Sequence, residues 1–325
     1  MNSETGTITD PVTIVGAGIA GAACARVLRD ADVPFRIVDR GRAPGGRMSS
    51  PELHGRRVDL GAGYFTVRDQ EFSTVVAEWE SGGLARQWAN TFGILKPDTA
   101  PCTTTGPVRW ATPNGLRSLV RNMLDGVDIQ HPTELTDLPD GHVVVAMPDP
   151  QATRLTAVPD AVDYVPVIAV ACGFDGLDLP FRDAAFVNDH PDIDFVVDDG
   201  ARRGDGAPVL VVHTTSERAQ QHLDFPDGAI APVLDALREL SVVTGGTRRG
   251  LTLIGGPSPS LRRNTIPTSR CTSRTDASSV WRAISGANPE CPGWRARGVR
   301  EPMWAENWLD ASRTDVCPAS AHEPD

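Results

Sequence analysis

The feature that most constrains this chain is a six-residue turn set between a strand and a helix. Val12, Thr13, Ile14 and Val15 are an apolar, β-branched run that predicts a buried strand. It leads directly into Gly16-Ala17-Gly18-Ile19-Ala20-Gly21, and residues 22–28 that follow are rich in helix formers. In this order each glycine has a separate job. Gly16 permits the tight turn, Gly18 removes a side chain where backbone must approach a pyrophosphate, and Gly21 lets helix and strand pack closely. The helix start then offers free N–H groups and partial positive charge to the phosphates. A second strand over residues 34–38 ends at Asp39, the offset at which an acid meets a ribose hydroxyl, and Arg40 follows. An ordinary glycine turn in a βαβ unit is the competing reading, and the acid at its expected offset argues against it.

Two further stretches narrow the ligand. In Arg40-Gly41-Arg42-Ala43-Pro44-Gly45-Gly46-Arg47-Met48, adjacent glycines allow close backbone approach and Arg47 supplies a guanidinium suited to a diphosphate. Residues 57–66 set the small Gly61, Ala62 and Gly63 beside Tyr64 and Phe65, as a flat ring system requires. Core packing is the alternative for both aromatics, and the polar tip of Tyr64 makes it the better pocket candidate.

VTIVGAGIAGAACARVL, APGGRMSS and VDLGAGYFTVRD together resemble the renalase-like branch of the FAD-dependent amine oxidase family. The resemblance implies a non-covalently bound FAD. It implies that Gly16, Gly18, Gly21 and Asp39 hold its adenosine side, and that Gly46, Arg47 and Met48 line the pyrophosphate and ring. Gly61, Ala62, Tyr64 and Phe65 would then lie near the isoalloxazine, and a residue near Leu135 would touch adenine. Leu60 and Gly63 depart from the family pattern, which often has His and Gln there. The implied activity is hydride transfer from a reduced small molecule to the flavin, with O2 as acceptor. Misreduced nicotinamide dinucleotides or amines are the implied substrate classes. An amine oxidase or flavin desaturase on the same scaffold, and an inactive relative with impaired flavin binding, stay open.

The expected fold is α/β, a Rossmann-type FAD-binding domain over residues 1–150 with a helical insertion at about 70–125. One amphipathic helix is expected at 72–79, a short apolar turn at 84–88, and a helix after Pro113-Asn114-Gly115. The connection over 136–142 is too short for the hairpin usual in relatives. An α+β substrate lobe follows over 151–245, with strands at 164–174, 195–197 and 209–212, a turn-rich link over 198–208, and helices at 216–223 and 229–240. His213 is either a substrate contact, with Tyr64 the other candidate catalytic side chain, or a part-buried histidine without a role. The pairs Arg202-Arg203 and Arg248-Arg249 read as solvated.

Residues 246–325 read as an irregular tail in which Gly, Pro, Ser, Thr and Arg dominate. Four tryptophans, Trp281, Trp294, Trp304 and Trp308, fit disorder poorly. Lys96 is the only lysine among 31 basic residues, which points to a GC-rich gene. Residues 253–261 and 281–286, read one base out of frame, permit His-Arg-Trp-Thr-Phe-Ala-Lys-Pro and Ala-Gly-Asp-Gln-Trp, strings that resemble the family's missing C-terminal motifs. A frameshift relative to the family is the reading this supports, and the gene sequence tests it.

Bulk properties exclude little else. A net charge of -11 argues against nucleic acid as partner. The polar first ten residues carry no basic leader, and the run 12–28 is broken by glycines and too short to span a membrane, so a cytoplasmic location without membrane contact is expected. Six cysteines without a CxxC pair read as reduced thiols, and scattered histidines give no metal site. Oligomeric state is left open.

Overall fold

The computed structural model describes residues 10–159, 161 and 164–243, and the backbone of 253–261. The chain opens with β1 (Val12–Val15), α1 (Ile19–Asp30) and β2 (Phe35–Val38). Two short strands, β3 (Glu52–Leu53) and β4 (Arg56–Arg57), pair with each other. Then come β5 (Phe65–Thr66), α2 (Gln70–Ser81), β6 (Arg86–Lys96) and β7 (Thr99–Ala111). The middle of the chain holds α3 (Arg117–Met123), β8 (Ile129–Gln130), β9 (Val143–Val145) and α4 (Asp149–Ala152). The last part runs through β10 (Tyr164–Gly173), β11 (Ala184–Val187), β12 (Ile193–Asp198), α5 (Asp199–Arg203), β13 (Val209–Thr214), α6 (Ser216–Gln221), α7 (Ile230–Glu239) and β14 (Leu253–Leu261).

Two compact units share this chain. The first combines residues up to Ser49 with Leu116–Tyr164. Its sheet is parallel, in the order β8-β2-β1-β9, so β1 lies between β2 and β9 with Ile14 opposite Ile37 and Val144. All four residues of β1 are buried, as its continuous apolar run requires. On α1, the small Gly21, Ala22, Ala23 and Ala25 form the buried face, which brings the helix close to the sheet.

The second unit combines Ser50–Gly115 with Val165–Ser260. Its sheet has eight strands in the order β14-β10-β13-β12-β11-β6-β7-β5. Every pairing specified within it is antiparallel except β11 with β6, where Phe186 faces Ile94. The sheet is apolar on both faces. One carries Leu95, Ile168, Val170 and Val212 in a cluster with Ala219 of α6 and Val233 and Leu237 of α7. The other carries Phe92, Phe186, Phe195, Val197 and Val211, with Val58 and Leu60.

These boundaries differ from the expected domains. Of the insertion expected to be helical at about 70–125, α2 and a long hairpin fall in the second unit together with residues 50–69, while α3 stays in the first unit, which also holds residues 151–164. Residues 84–88 run into an 11-residue strand instead of ending in an apolar turn. The cause is that the partner strand β7 is mostly exposed and carries consecutive threonines and two prolines, which gives little apolar alternation. Residues 198–208, expected as a turn, hold α5. Asp198 caps it, accepting the Ala201 amide at 2.9 Å, and Gly204 ends it at φ 82°. The four-residue β11 was too short to stand out. The tail expected to be irregular contributes β14, which extends the sheet beyond β10. Gly255, Gly256, Pro257 and Pro259 mask it, and an edge position is where a strand tolerates proline. The frame reading and the Arg248-Arg249 pair otherwise lie outside the described residues.

Residues 131–142 contain no strand. Cys24 and Cys172 are thiols outside any disulfide, whereas Cys102 is disulfide-bonded, which corrects the reading of every cysteine as a thiol. Among the described residues, no helix is long and apolar enough to cross a membrane.

Candidate functional site

In the first unit the glycine turn is built as its sequence requires. Gly16 sits at φ +117°, and a Cβ there would lie 2.3 Å from the Ala146 carbonyl oxygen. A Cβ on Gly21 would lie 1.9 Å from the Gly16 oxygen. Gly18 differs: a Cβ there would meet nothing within 4 Å. Its lack of a side chain therefore answers no demand of the fold and leaves open space at the start of α1. That start has no side-chain cap, so its first amides stay available to an anion.

Asp39 braces this turn. Its Oδ2 accepts the Ala17 amide at 2.7 Å and its Oδ1 the Gly41 amide at 2.6 Å. Each carboxylate oxygen keeps a lone-pair site for a hydroxyl donor. The second glycine pair closes on the first: Gly45 donates to the Ala17 oxygen at 2.9 Å, and a Cβ on Gly46 would lie 3.5 Å from the Gly18 Cα. Arg117 of α3 packs against Gly45 and donates to the Ser49 hydroxyl. Arg40 and Arg47 are exposed, with the Arg47 guanidinium 5.7 Å from the Tyr164 ring. Leu135 packs on the cluster of Val15, Val143 and Val145. Met48, expected to line the ligand, has a side chain only 2% exposed and belongs to the core.

In the second unit, Tyr64 is half-buried, with Phe92 edge-on at 5.5 Å and Phe195 at 6.1 Å. Burial raises its pKa, the Arg109 guanidinium beside it pulling the other way, so the phenol is protonated at neutral pH. Phe65 is 0% exposed and packs on Phe72, Trp79 and Trp110. Its side chain is core, which corrects its placement beside a flavin ring. Gly61 and Ala62 are half-buried. At Gly63 a Cβ would come 3.2 Å from the Phe195 ring, a tight approach.

His213 is brought near the same aromatics, 5.8 Å from Phe195. Its Nε2 is shielded and has no hydrogen-bond partner. Burial, with Arg202 adding to it, lowers its pKa to about 4, so the imidazole is neutral at physiological pH.

An ionic cluster in this unit escaped the sequence reading. Arg202 and Arg203, read as solvated, are 1% and 7% exposed. Both pair with Asp199 and with Asp59, and Arg56 joins Asp199 and Asp205. Burial pushes the Asp199 carboxyl up, and Arg202, Arg203 and Arg56 outweigh it, so its pKa is lowered. Arg202 also donates to the Gly63 oxygen at 3.1 Å, which ties the cluster to the Gly61–Tyr64 loop. The helical spacing of Asp199 to Arg202 and Arg203 was the available signal, legible only once 199–203 is known to be a helix.

Residues 14–79 match the NAD(P)-binding Rossmann-like domain family. Mouse renalase is 24% identical over 72% of this chain and 80% of its own length. The bifunctional tRNA 5-methylaminomethyl-2-thiouridine biosynthesis protein MnmC of Marinobacter nauticus is 37% identical over 26% of this chain, and the match spans only 13% of that protein. Among solved structures, cyclohexylamine oxidase from Brevibacterium oxydans superposes with a TM-score of 0.61 at 12% identity, covering 75% of this chain and 84% of that one. The chain is similar to renalase over most of its length and has the fold of that amine oxidase.

The residues of the first unit fit the nucleotide end of FAD. The open space at Gly18, the uncapped α1 and the free lone pairs of Asp39 are the three observations that carry this fit. None of them requires a metal, and among the described residues no three His, Cys, Asp or Glu side chains gather as a metal site.

Proposed function

We propose that this chain is an FAD-dependent oxidoreductase that takes a hydride from a reduced small molecule and passes the electrons to O2. Dihydronicotinamide dinucleotide isomers are the substrate class we assign, following the likeness to renalase. The observation that carries the proposal is the turn at Gly18, where the fold leaves room that no side chain of the first unit fills.

FAD supplies, when bound, the acceptance of two electrons as a hydride. The chain's own residues do the rest. The α1 amides and Arg47 hold the diphosphate, Asp39 accepts from the ribose, and Leu135 supports the adenine. Gly61 and Ala62 let a flat ring approach the backbone. Tyr64, protonated, keeps a donor at its hydroxyl. His213, the other candidate for a substrate contact, is neutral. Positioning is the main contribution asked of these groups, since a hydride donor held at the right distance needs no separate base.

The test is the visible spectrum of the freshly purified chain, followed by anaerobic addition of a dihydronicotinamide isomer. Flavin absorbance near one per chain, bleached by the dinucleotide and restored by air with release of peroxide, supports the reading. A folded chain that takes up no added FAD overturns it and favours an inactive relative, the outcome expected if the tail is out of frame. Flavin released on denaturation, seen by mass spectrometry, checks that attachment is non-covalent. An amine oxidase on the same scaffold is the second reading, favoured by the likeness to cyclohexylamine oxidase. Peroxide from an amine, and none from dihydronicotinamides, would establish it.

A further inference from the structure

We propose that Arg109 fills, with this chain's own cation, the aromatic box on one face of the second sheet, so that the substrate met there is neutral or anionic and not an ammonium. The proposal rests on the reading that Tyr64 faces the substrate.

Arg109 lies on β7, opposite Thr66 of β5 and Ala89 of β6. Its side chain is 2% exposed. The guanidinium carbon stands 4.0 Å from the centre of the Phe92 ring, 5.5 Å from Tyr64 and 5.9 Å from Phe186. Trp88 and Phe195 pack on Phe92 at 5.1 and 5.9 Å and complete the cluster. Rings arranged in this way attract a cation through their negative faces, and such boxes bind ammonium ligands elsewhere. Here the place is taken. Nη1 donates to the Asn90 carbonyl at 3.0 Å, Nε has no partner, and among the described residues no carboxylate pairs with this guanidinium. Its charge is therefore uncompensated by any neighbouring carboxylate.

An uncompensated cation in an apolar cluster is costly to keep, and it acts on whatever approaches. A second cation at about 5 to 6 Å from it, at an effective dielectric near 20, is disfavoured by about a hundredfold. An anion at the same distance gains by a similar factor. The nearby polar groups agree with this preference. Tyr64 is a protonated phenol and His213 a neutral imidazole, so neither offers the negative charge an ammonium needs. Tyr64 and Trp88 are half-buried, which leaves this edge of the box reachable.

The experiment measures binding to the full chain, with its flavin if present, of three probes of one shape: cyclohexylammonium, cyclohexanol and cyclohexanecarboxylate. Ligand-observed NMR titration gives the three Kd values without turnover. The expected order is carboxylate and alcohol ahead of ammonium by tenfold or more. Arg109→Met should tighten ammonium binding at least tenfold and weaken the carboxylate, while Arg109→Lys, which keeps the charge, should preserve the wild-type order. Ammonium binding to the wild type as tightly as the alcohol overturns the inference, even if Arg109→Met fails to fold. So does an order unchanged in a folded Arg109→Met chain, or a flavin-bearing chain that binds none of the three. A chain without flavin that still ranks the probes by charge upholds this inference and overturns the proposed function.

Discussion

Arg202 donates from Nη1 to the carbonyl oxygen of Gly63 at 3.1 Å while its Nη2 is held by Asp199. One buried guanidinium thus links a helix formed by residues 199–203 to a loop more than a hundred residues earlier. Arg202→Met would leave Asp59 and Asp199 under-compensated and the Gly63 oxygen without this donor. Breaking such a buried pair costs about 3 to 5 kcal/mol. Urea unfolding should show a loss of this size. If the chain stays folded, NMR should show the His213 pKa rising from about 4, since Arg202 contributes to holding it down. A loss within about 0.5 kcal/mol would mean the cluster is spectator packing.

The two glycines Gly18 and Gly21 should separate folding from binding. Gly21→Ala forces a methyl to 1.9 Å from the Gly16 oxygen, and overpacking against backbone costs about 1 to 3 kcal/mol or more. Gly18→Ala meets no protein atom within 4 Å, so its stability should stay within about 0.5 kcal/mol of wild type. Its FAD affinity should nevertheless fall at least tenfold. Thermal melts and FAD titration on both variants give the comparison, and a Gly18→Ala chain of normal affinity would show that nothing approaches that position.

Stability should depend on pH through His213. Its pKa is about 4 in the folded chain against 6.5 ordinarily, because burial and then Arg202 disfavour the imidazolium. Between those values the unfolded chain binds the extra proton, so stability rises with pH. The contribution is whole above about pH 6.5 and is lost as pH falls toward 4. It amounts to roughly 3 kcal/mol at most, at 1.36 kcal/mol per unit, and less because the ring is half-buried rather than enclosed. Denaturation midpoints of wild type and His213→Asn between pH 4 and 8 isolate it. Parallel profiles would remove the assignment.

Asp39→Asn should weaken the turn as well as nucleotide binding. One carboxylate oxygen that accepts an amide, from Ala17 or Gly41, becomes an NH2 facing a donor. The mismatch costs about 1 to 3 kcal/mol. FAD affinity should drop together with stability, unlike in Gly18→Ala, where only affinity falls.

What the sequence revealed follows from how local each signal is. The first strand, glycine turn, helix and Asp39 lie within 28 residues, and each is fixed by its own chain neighbourhood. The strand over Tyr164–Gly173 and the helices near 216 and 230 were visible for the same reason. The hairpin over 86–111 was missed because strand pairing, not apolar periodicity, creates it. Arg202 and Arg203 looked solvated because their acid Asp59 is distant in sequence and their neighbour Asp199 falls in line only on a helical turn. Phe65 and Met48 stand beside plausible ligand positions in sequence, but their side chains point into cores that no local motif announces. Gly63 reads as a departure from relatives, and the ring that crowds its position, Phe195, lies 132 positions later.

Both units are interrupted, and this sets an order of assembly during synthesis. When β1 and β2 leave the ribosome, β1 has one partner and an open edge. The strand that covers this edge, β9, emerges more than a hundred residues later, after the whole 50–115 segment. In the other unit, β6 waits in the same way for β11. Such non-local closures are slow and leave strand edges bare on a nascent chain. Any truncation before Val145 therefore strands the parallel sheet half-built, and the glycine turn at its first strand is made well before the strand that secures it.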